Sequence, residues 1–273
     1  MQSAHVFSLR NLDWMLKSMI RKEEFNLGEK GLKLAHISDL HENDPQEALT
    51  ILKEDVPDLI LITGDLLERK KLKSPDQEAI FYQKDKRKYQ ESIAGSIARF
   101  FLKRGNRNLG HLFLLEAAKI STVVYSLGNH EAYLTKDDLR IINDNGIILL
   151  NDKDISYRKN DIFIHIGGMG SSFDEKWLKE YAKKDGYKVL LMHHPEYYQQ
   201  YARNLGFDLI LAGHGHGGQI RLFNQGLFAP GQGFFPKYSK GLYDNCLYVS
   251  PGLSNTMRIP RINNPKTIYY FNI

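Results

Sequence analysis

From Leu32 onward, short apolar runs alternate with polar turns and amphipathic stretches. The runs at 32–38 (LKLAHIS), 58–63 (DLILIT) and 122–127 (TVVYSL) are mostly apolar and read as buried strands. Further strands are predicted at 147–150, 162–166, 189–192 and 209–211. Between them Ala48, Ile51 and Leu52, then Leu139 and Ile142, recur at helical spacing. Asp44 and Glu47 read as a capping box around Pro45, Thr135 as a cap and Gly146 as a stop. This alternation predicts an α/β layered core. Asp58-Leu59-Ile60-Leu61 returns as Asp208-Leu209-Ile210-Leu211, which suggests two similar half-units meeting at one site.

Two stretches stand apart. Leu9, Leu12, Met15, Leu16, Met19 and Ile20 share one helical face, and Arg10, Lys17, Arg21 and Lys22 fall mostly elsewhere on the wheel. An amphipathic N-terminal helix and lead-in are expected over 1–30, packed on the chain's own core or lying on anionic headgroups. Residues 68–107 hold twelve lysines and arginines against five acidic residues. With a helical stretch at 77–104, they predict a basic helical insertion over 68–120, either a solvated face or a guide for polyanions. The whole chain, 1–273, including both stretches, is read as one domain.

Composition narrows the chemistry. With 273 residues, 42% of them hydrophobic, the chain can bury a sizeable core, and whole-chain disorder is excluded. A net charge of +5 favours anionic ligands without naming one. Cys246 is the only cysteine, which excludes an intramolecular disulfide and thiolate-rich zinc sites, so a metal would need nitrogen and oxygen ligands. There is no apolar run of the ~18 residues a membrane span requires, and the first residues lack the pattern of a signal peptide. A cytoplasmic location is expected, free or at a membrane surface.

Five polar clusters sit at or beyond the ends of apolar strands: Asp39-Leu40-His41, Gly64-Asp65, Gly128-Asn129-His130-Glu131, His193-His194-Pro195 and Gly213-His214-Gly215-His216. Ligands bind in the crevice beyond the carboxyl ends of strands in open α/β sheets. Carboxylates, imidazoles and an amide suit divalent Mn, Fe, Co, Ni or Zn. Eight such groups without thiolate fit a metal pair sharing one carboxylate. Two ions about 3.5 to 4 Å apart can deprotonate a bridging water and clamp both oxygens of an in-line displacement at phosphorus.

In their order along the chain, these motifs resemble the signature of the calcineurin-like metallophosphoesterases, from about Lys33 to the C-terminus. The stretch 213–243 is similar to a branch of bacterial phosphodiesterases related to the YkuE and YaeI proteins, some of whose relatives act on lipid-linked UDP-sugars. Gly215 stands where that branch usually has Thr, and the basic segment is longer than the branch leads one to expect. The resemblance implies two mixed β-sheets packed as a sandwich and flanked by helices. It implies that Asp39, His41 and His216 bind a first metal, that Asp65 bridges, and that Asn129, His193 and His214 hold a second. His130 is implied as the histidine that contacts phosphate and protonates the leaving oxygen, steadied by a nearby carboxylate. Two divalent ions, Mn2+ before Fe, Zn, Co or Ni, would be the cofactors.

His194 competes with His193 for the ligand role, and the family's His-x-Pro pattern favours His193. His36, within the first strand, is read as a core or outer-layer residue. Arg221 and the aromatic loop 228–238 are candidates for substrate contact. The expected activity is hydrolysis of a phosphodiester, phosphomonoester or pyrophosphate by a metal-bridging hydroxide, on a phosphorylated small molecule or a lipid-linked substrate. The alternatives are a nuclease and a non-catalytic nucleic-acid-binding protein, both using the basic insertion.

Overall fold

The fold is taken from a computed structural model and described for residues 19–28, 31–70, 79–81, 109–254 and 259–273. In chain order the strands are β1 (Arg21–Asn26), β2 (Lys33–Ile37), β3 (Leu59–Thr63), β4 (Ala79–Phe81), β5 (Thr122–Ser126), β6 (Tyr133–Thr135), β7 (Ile148–Leu150), β8 (Lys153–Lys159) and β9 (Ile162–Met169). They continue as β10 (Tyr187–Met192), β11 (Leu209–Ala212), β12 (Arg221–Leu222), β13 (Gln225–Gly226), β14 (Phe228–Ala229), β15 (Gly233–Phe234), β16 (Gly241–Tyr243), β17 (Leu247–Val249) and β18 (Thr267–Asn272). The helices are α1 (Gln46–Asp55), α2 (Leu109–Ile120), α3 (Lys136–Asp144) and α4 (Glu175–Ala182).

Two six-stranded mixed sheets dominate the described residues, ordered β1-β18-β2-β3-β5-β7 and β16-β17-β11-β10-β9-β8. Alternate side chains of each inner strand serve different layers. Leu34, Leu59, Leu61 and Val124 meet Ile164, Val189, Leu191, Leu209 and Leu211 between the sheets. Ala35, Ile37, Ile60, Ile62 and Tyr125 point the other way, onto Ala48, Leu52 and Phe113 of the helices. Leu190, Met192, Ile210 and Ala212 do the same beneath Leu178 and Tyr181 of α4. Burial on both faces is why these runs show no polar alternation. The expected sandwich with flanking helices is therefore present, and β3 and β11, the two copies of the Asp-Leu-Ile-Leu echo, occupy interior positions in separate sheets.

Helix ends follow local chemistry. Thr135 caps α3 by accepting from the Asp138 backbone N–H, and Asp138 accepts in return from Thr135 N at 2.8 Å. Gly146, at φ 66°, follows the end of that helix. At α1 only half of the expected box forms. Asp44 accepts from Gln46 N at 3.0 Å, but Glu47 accepts from Ile20 N at 2.6 Å, because the chain end leading into β1 runs beside this helix.

The expectation for the N-terminus needs correction where it can be seen. Arg21 and Lys22, assigned to a helix, lie in β1, paired in parallel with β18; residues 1–18 lie outside the described residues. Residues 79–81, expected within a helix, form β4 against β6. Most of the basic stretch also lies outside the described residues, while α2 closes its C-terminal end. Among the described residues no helix is long and apolar enough to cross a membrane.

Candidate metal centre

The polar clusters meet where the loops after β2, β3, β5, β10 and β11 converge. Their backbone is unusual: Asp39, His41, Glu42, Asp65, His214 and His216 all have φ between 43° and 65°. Non-glycine residues visit this left-handed region seldom, and such outliers concentrate at functional sites. Close approach of the loops depends on Gly64 and Gly128. A Cβ on Gly64, at φ 87°, would lie 2.3 Å from Gly128 N, and one on Gly128 would lie 2.2 Å from Asp65 Oδ1.

Glu131 ties these two loops together. Its buried carboxylate accepts from Asp65 N, Leu67 N, Gly128 N and the Tyr125 hydroxyl at 2.7–2.8 Å. Asp65 Oδ1 accepts from His130 N at 2.8 Å, which leaves Oδ2 facing the imidazoles.

Around Asp65 Oδ2 lie His193 Nε2 at 3.1 Å, His130 Nε2 at 3.5 Å and His41 Nε2 at 3.6 Å. His193 Nε2 is also 3.1 Å from Asn129 Oδ1 and 3.1 Å from His214 Nδ1. Asp39 Oδ1 is 3.7 Å from His41 Nε2 and 3.6 Å from His216 Nε2. Bonds of about 2.1 Å to one ion separate neighbouring ligand atoms by about 3.0 Å at right angles and about 3.4 Å in a tetrahedron. The observed spacings fall near those edges. His41 Nε2 is buried with no hydrogen-bond partner, and one N–H on His193 Nε2 cannot serve three acceptor-bearing neighbours. These residues fit bound divalent metal: donor groups of Asp39, His41 and His216 converge on one side, and those of Asp65, His193 and His214 on the other.

The electrostatics agree with a cradle for positive charge. Burial alone would push Asp39 and Asp65 up, yet the surrounding imidazoles hold both below the usual carboxylate range. Burial would likewise push His41 and His193 down, but Asp39 and Glu68 raise the first to about 10, and Asp65 raises the second to about 9. Protons collect where dications would sit. His130 behaves differently: burial takes it down to about 4, only partly offset by Asp65 and Glu68.

Glu68 is a residue that reasoning from the sequence missed. Its Oε1 lies 2.7 Å from both His41 Nδ1 and His130 Nδ1, and its carboxyl is held well below the usual range: burial would raise it, but the two imidazoles outweigh that. An ionised carboxylate only accepts. Both rings therefore carry their proton on Nδ1 and present Nε2 to the centre. Its spacing, three residues beyond Asp65, was the available signal. Arg69 holds this turn in place, with a fork onto Asp138 at 2.9–3.1 Å and a bond to Glu42 at 2.9 Å.

The remaining candidates sort by position. His194 Nδ1 lies 3.1 Å from Glu196 Oε1 and groups with Glu196 and His214. His36 is buried and pairs with Thr63 Oγ1 at 2.8 Å. Arg221 does not join the cluster: its guanidinium is spent on Gly217 O, Ser239 Oγ and Asn224 O, bracing the loop after His216. An open cleft of about 580 Å3 along α4, lined by Lys176, Lys179 and Lys183 among others, contains none of the donor set.

Residues 32–218 match the calcineurin-like phosphoesterases, and the chain belongs to that family of metal-dependent phosphoester hydrolases. It is 25% identical over 240 residues to YpbG of Bacillus subtilis, covering 85% of this chain and 77% of that protein. It is 27% identical over 243 residues to the metallophosphoesterase YkoQ of the same organism, covering 83% and 78%. The phosphopantetheinyl hydrolase of Mycobacterium tuberculosis aligns over 82% of this chain and 90% of its own, with a TM-score of 0.46 and 11% identity.

Proposed function

We propose that this chain is a dinuclear phosphoesterase in which Asp39, His41 and His216 hold one divalent ion, Asn129, His193 and His214 hold a second, and Asp65 serves both. The observation that carries the reading is the crowding of His193 Nε2, 3.1 Å from Asp65 Oδ2, Asn129 Oδ1 and His214 Nδ1 alike. Mn2+ is the first choice of ion, with Fe, Zn, Co or Ni as alternatives for the same donors. When bound, the pair supplies the nucleophile and neutralises charge at phosphorus.

The protein's own part in the reaction falls to His130 and Glu68. With Nδ1–H bonded to Glu68, His130 turns Nε2 toward the reacting group. A phosphate anion beside that nitrogen raises its proton affinity, so the imidazole can take up a proton and deliver it to the leaving oxygen. Phosphodiesters, phosphomonoesters and pyrophosphates all present such an oxygen. Phe234 and Phe235, about two-thirds exposed, follow the metal motif and suit a substrate with an apolar portion. That supports a lipid-linked phosphate in line with the YkuE and YaeI resemblance.

The test is hydrolysis of bis(p-nitrophenyl) phosphate with added Mn2+. Activity should vanish with chelator and in Asp65→Ala, and full activity in that variant would remove the mechanism. A parallel screen of lipid-linked diphosphates, small phosphorylated metabolites and single-stranded DNA identifies the substrate class. Preferred cleavage of DNA would redirect the reading toward a nuclease. Salt-dependent DNA binding without turnover would redirect it toward a nucleic-acid-binding protein.

A further inference from the structure

We infer that Glu196, together with His194, positions His214: its carboxylate accepts a hydrogen bond from His214 Nε2–H and so leaves Nδ1 as the lone-pair donor to the cation. This rests on the dinuclear reading above. A neutral imidazole carries one N–H and one lone pair. His214 Nδ1 lies 3.1 Å from His193 Nε2, on the side of Asp65. If its lone pair is committed there, the proton must sit on Nε2.

That nitrogen is buried and without a partner, in a residue only 5% exposed. A buried N–H with no acceptor costs about 1–3 kcal/mol. Its counterpart is close by. Glu196 Oε2 is also buried and has no donor, and His194, Glu196 and His214 each bring one ligand atom within 4.8 Å of the others. The other carboxylate oxygen is already engaged, with His194 Nδ1 at 3.1 Å. The His194 ring packs against His214 with centroids 4.3 Å apart, which restricts how His214 can turn. Two unsatisfied atoms of opposite kind in one buried corner are each other's natural partners. A carboxylate behind a metal-binding histidine fixes both its tautomer and its orientation.

Gly231 keeps the corner open. Its φ is 75°, and a Cβ there would sit 2.2 Å from Glu196 Oε1. The loop that carries Phe234 and Phe235 therefore passes directly over the carboxylate.

The experiment uses the full chain and its Glu196→Ala and Glu196→Gln variants. Co2+ is titrated in competition with a chromophoric chelator, and the visible spectrum of the cobalt-loaded protein is recorded. In Glu196→Ala the second Co2+ should bind 10- to 100-fold more weakly and its absorption band should shift. The first should stay within threefold. Glu196→Gln should recover most of the affinity, because an amide oxygen also accepts the Nε2 proton. Unchanged binding and spectrum in Glu196→Ala would overturn the inference. So would a third Co2+ in the wild type that Glu196→Ala loses, since Glu196 would then be a direct ligand. A wild type that binds no Co2+ would instead overturn the dinuclear reading, and with it this one.

Discussion

Glu68 offers the sharpest test of how the centre is organised, because one carboxylate oxygen serves two imidazoles at 2.7 Å each. Hydrogen bonds to a charged group contribute about 1.5–3 kcal/mol, against about 0.5–1.5 for a neutral pair. In Glu68→Gln the amide oxygen can still accept from both rings but loses the charge, about 1 kcal/mol per bond and about 2 for the pair. That corresponds to about a 30-fold loss, shared between metal affinity, through His41, and turnover, through His130. Glu68→Ala leaves two Nδ1–H groups without an acceptor. Because the Glu68 side chain is 31% exposed, water can partly replace it. The cost should then lie in the lower half of the 1–3 kcal/mol range for each group, about 3 kcal/mol in all, or about 10²-fold. The assays are Mn2+ affinity by competition and kcat and KM on bis(p-nitrophenyl) phosphate. If Glu68→Ala stays within threefold of wild type in both, Glu68 does not orient the imidazoles and the tautomer argument fails.

Three further outcomes are expected. In Gly64→Ala the new Cβ would meet Gly128 N at 2.3 Å with φ at 87°, so urea unfolding should show a loss of at least about 3 kcal/mol; a loss below 1 would mean the loops have room to part. Asp138, buried against the Arg69 fork and His111, has its carboxyl held below the usual range: burial would raise it, and these partners outweigh that. Its contribution is thus present above the unfolded carboxylate value of about 3.9 and lost as pH falls below it. Asp138→Asn should therefore cost about 3 kcal/mol at pH 7, and the cost should begin to shrink below about pH 3.9 and keep falling as pH drops toward the carboxyl's own, much lower value; a difference independent of pH would refute the ion-pair account. Removing divalent ions with a chelator should lower the melting temperature of the wild type, and the drop should be smaller in Asp65→Ala, where binding is already weakened.

Much of this molecule can be read from its residue order. Apolar runs such as 58–63 announce strands buried on both sides, because only a strand between two packed layers excludes polar residues from both faces. The donor types and their placement after strands announce a nitrogen- and oxygen-ligated metal centre, because this chemistry needs those side chains whatever the fold. Other features depend on neighbours distant in the chain. Arg21–Asn26 is a strand because β18, some 246 residues later, offers its edge, and no local periodicity encodes that. Glu47 abandons its reciprocal cap because Ile20 N arrives beside it. The choice between His193 and His194 as the neighbour of Asp65 is made by where β10 ends against β3, with His193 Nδ1 2.7 Å from Thr63 O. Glu68 acquires a role only because the loops after β2 and β5 bring His41 and His130 to the same oxygen. Side-chain chemistry is a property of each residue and survives in the sequence. Which groups share a proton or an ion is a matter of distances of about 3 Å, and only the packed loops create those.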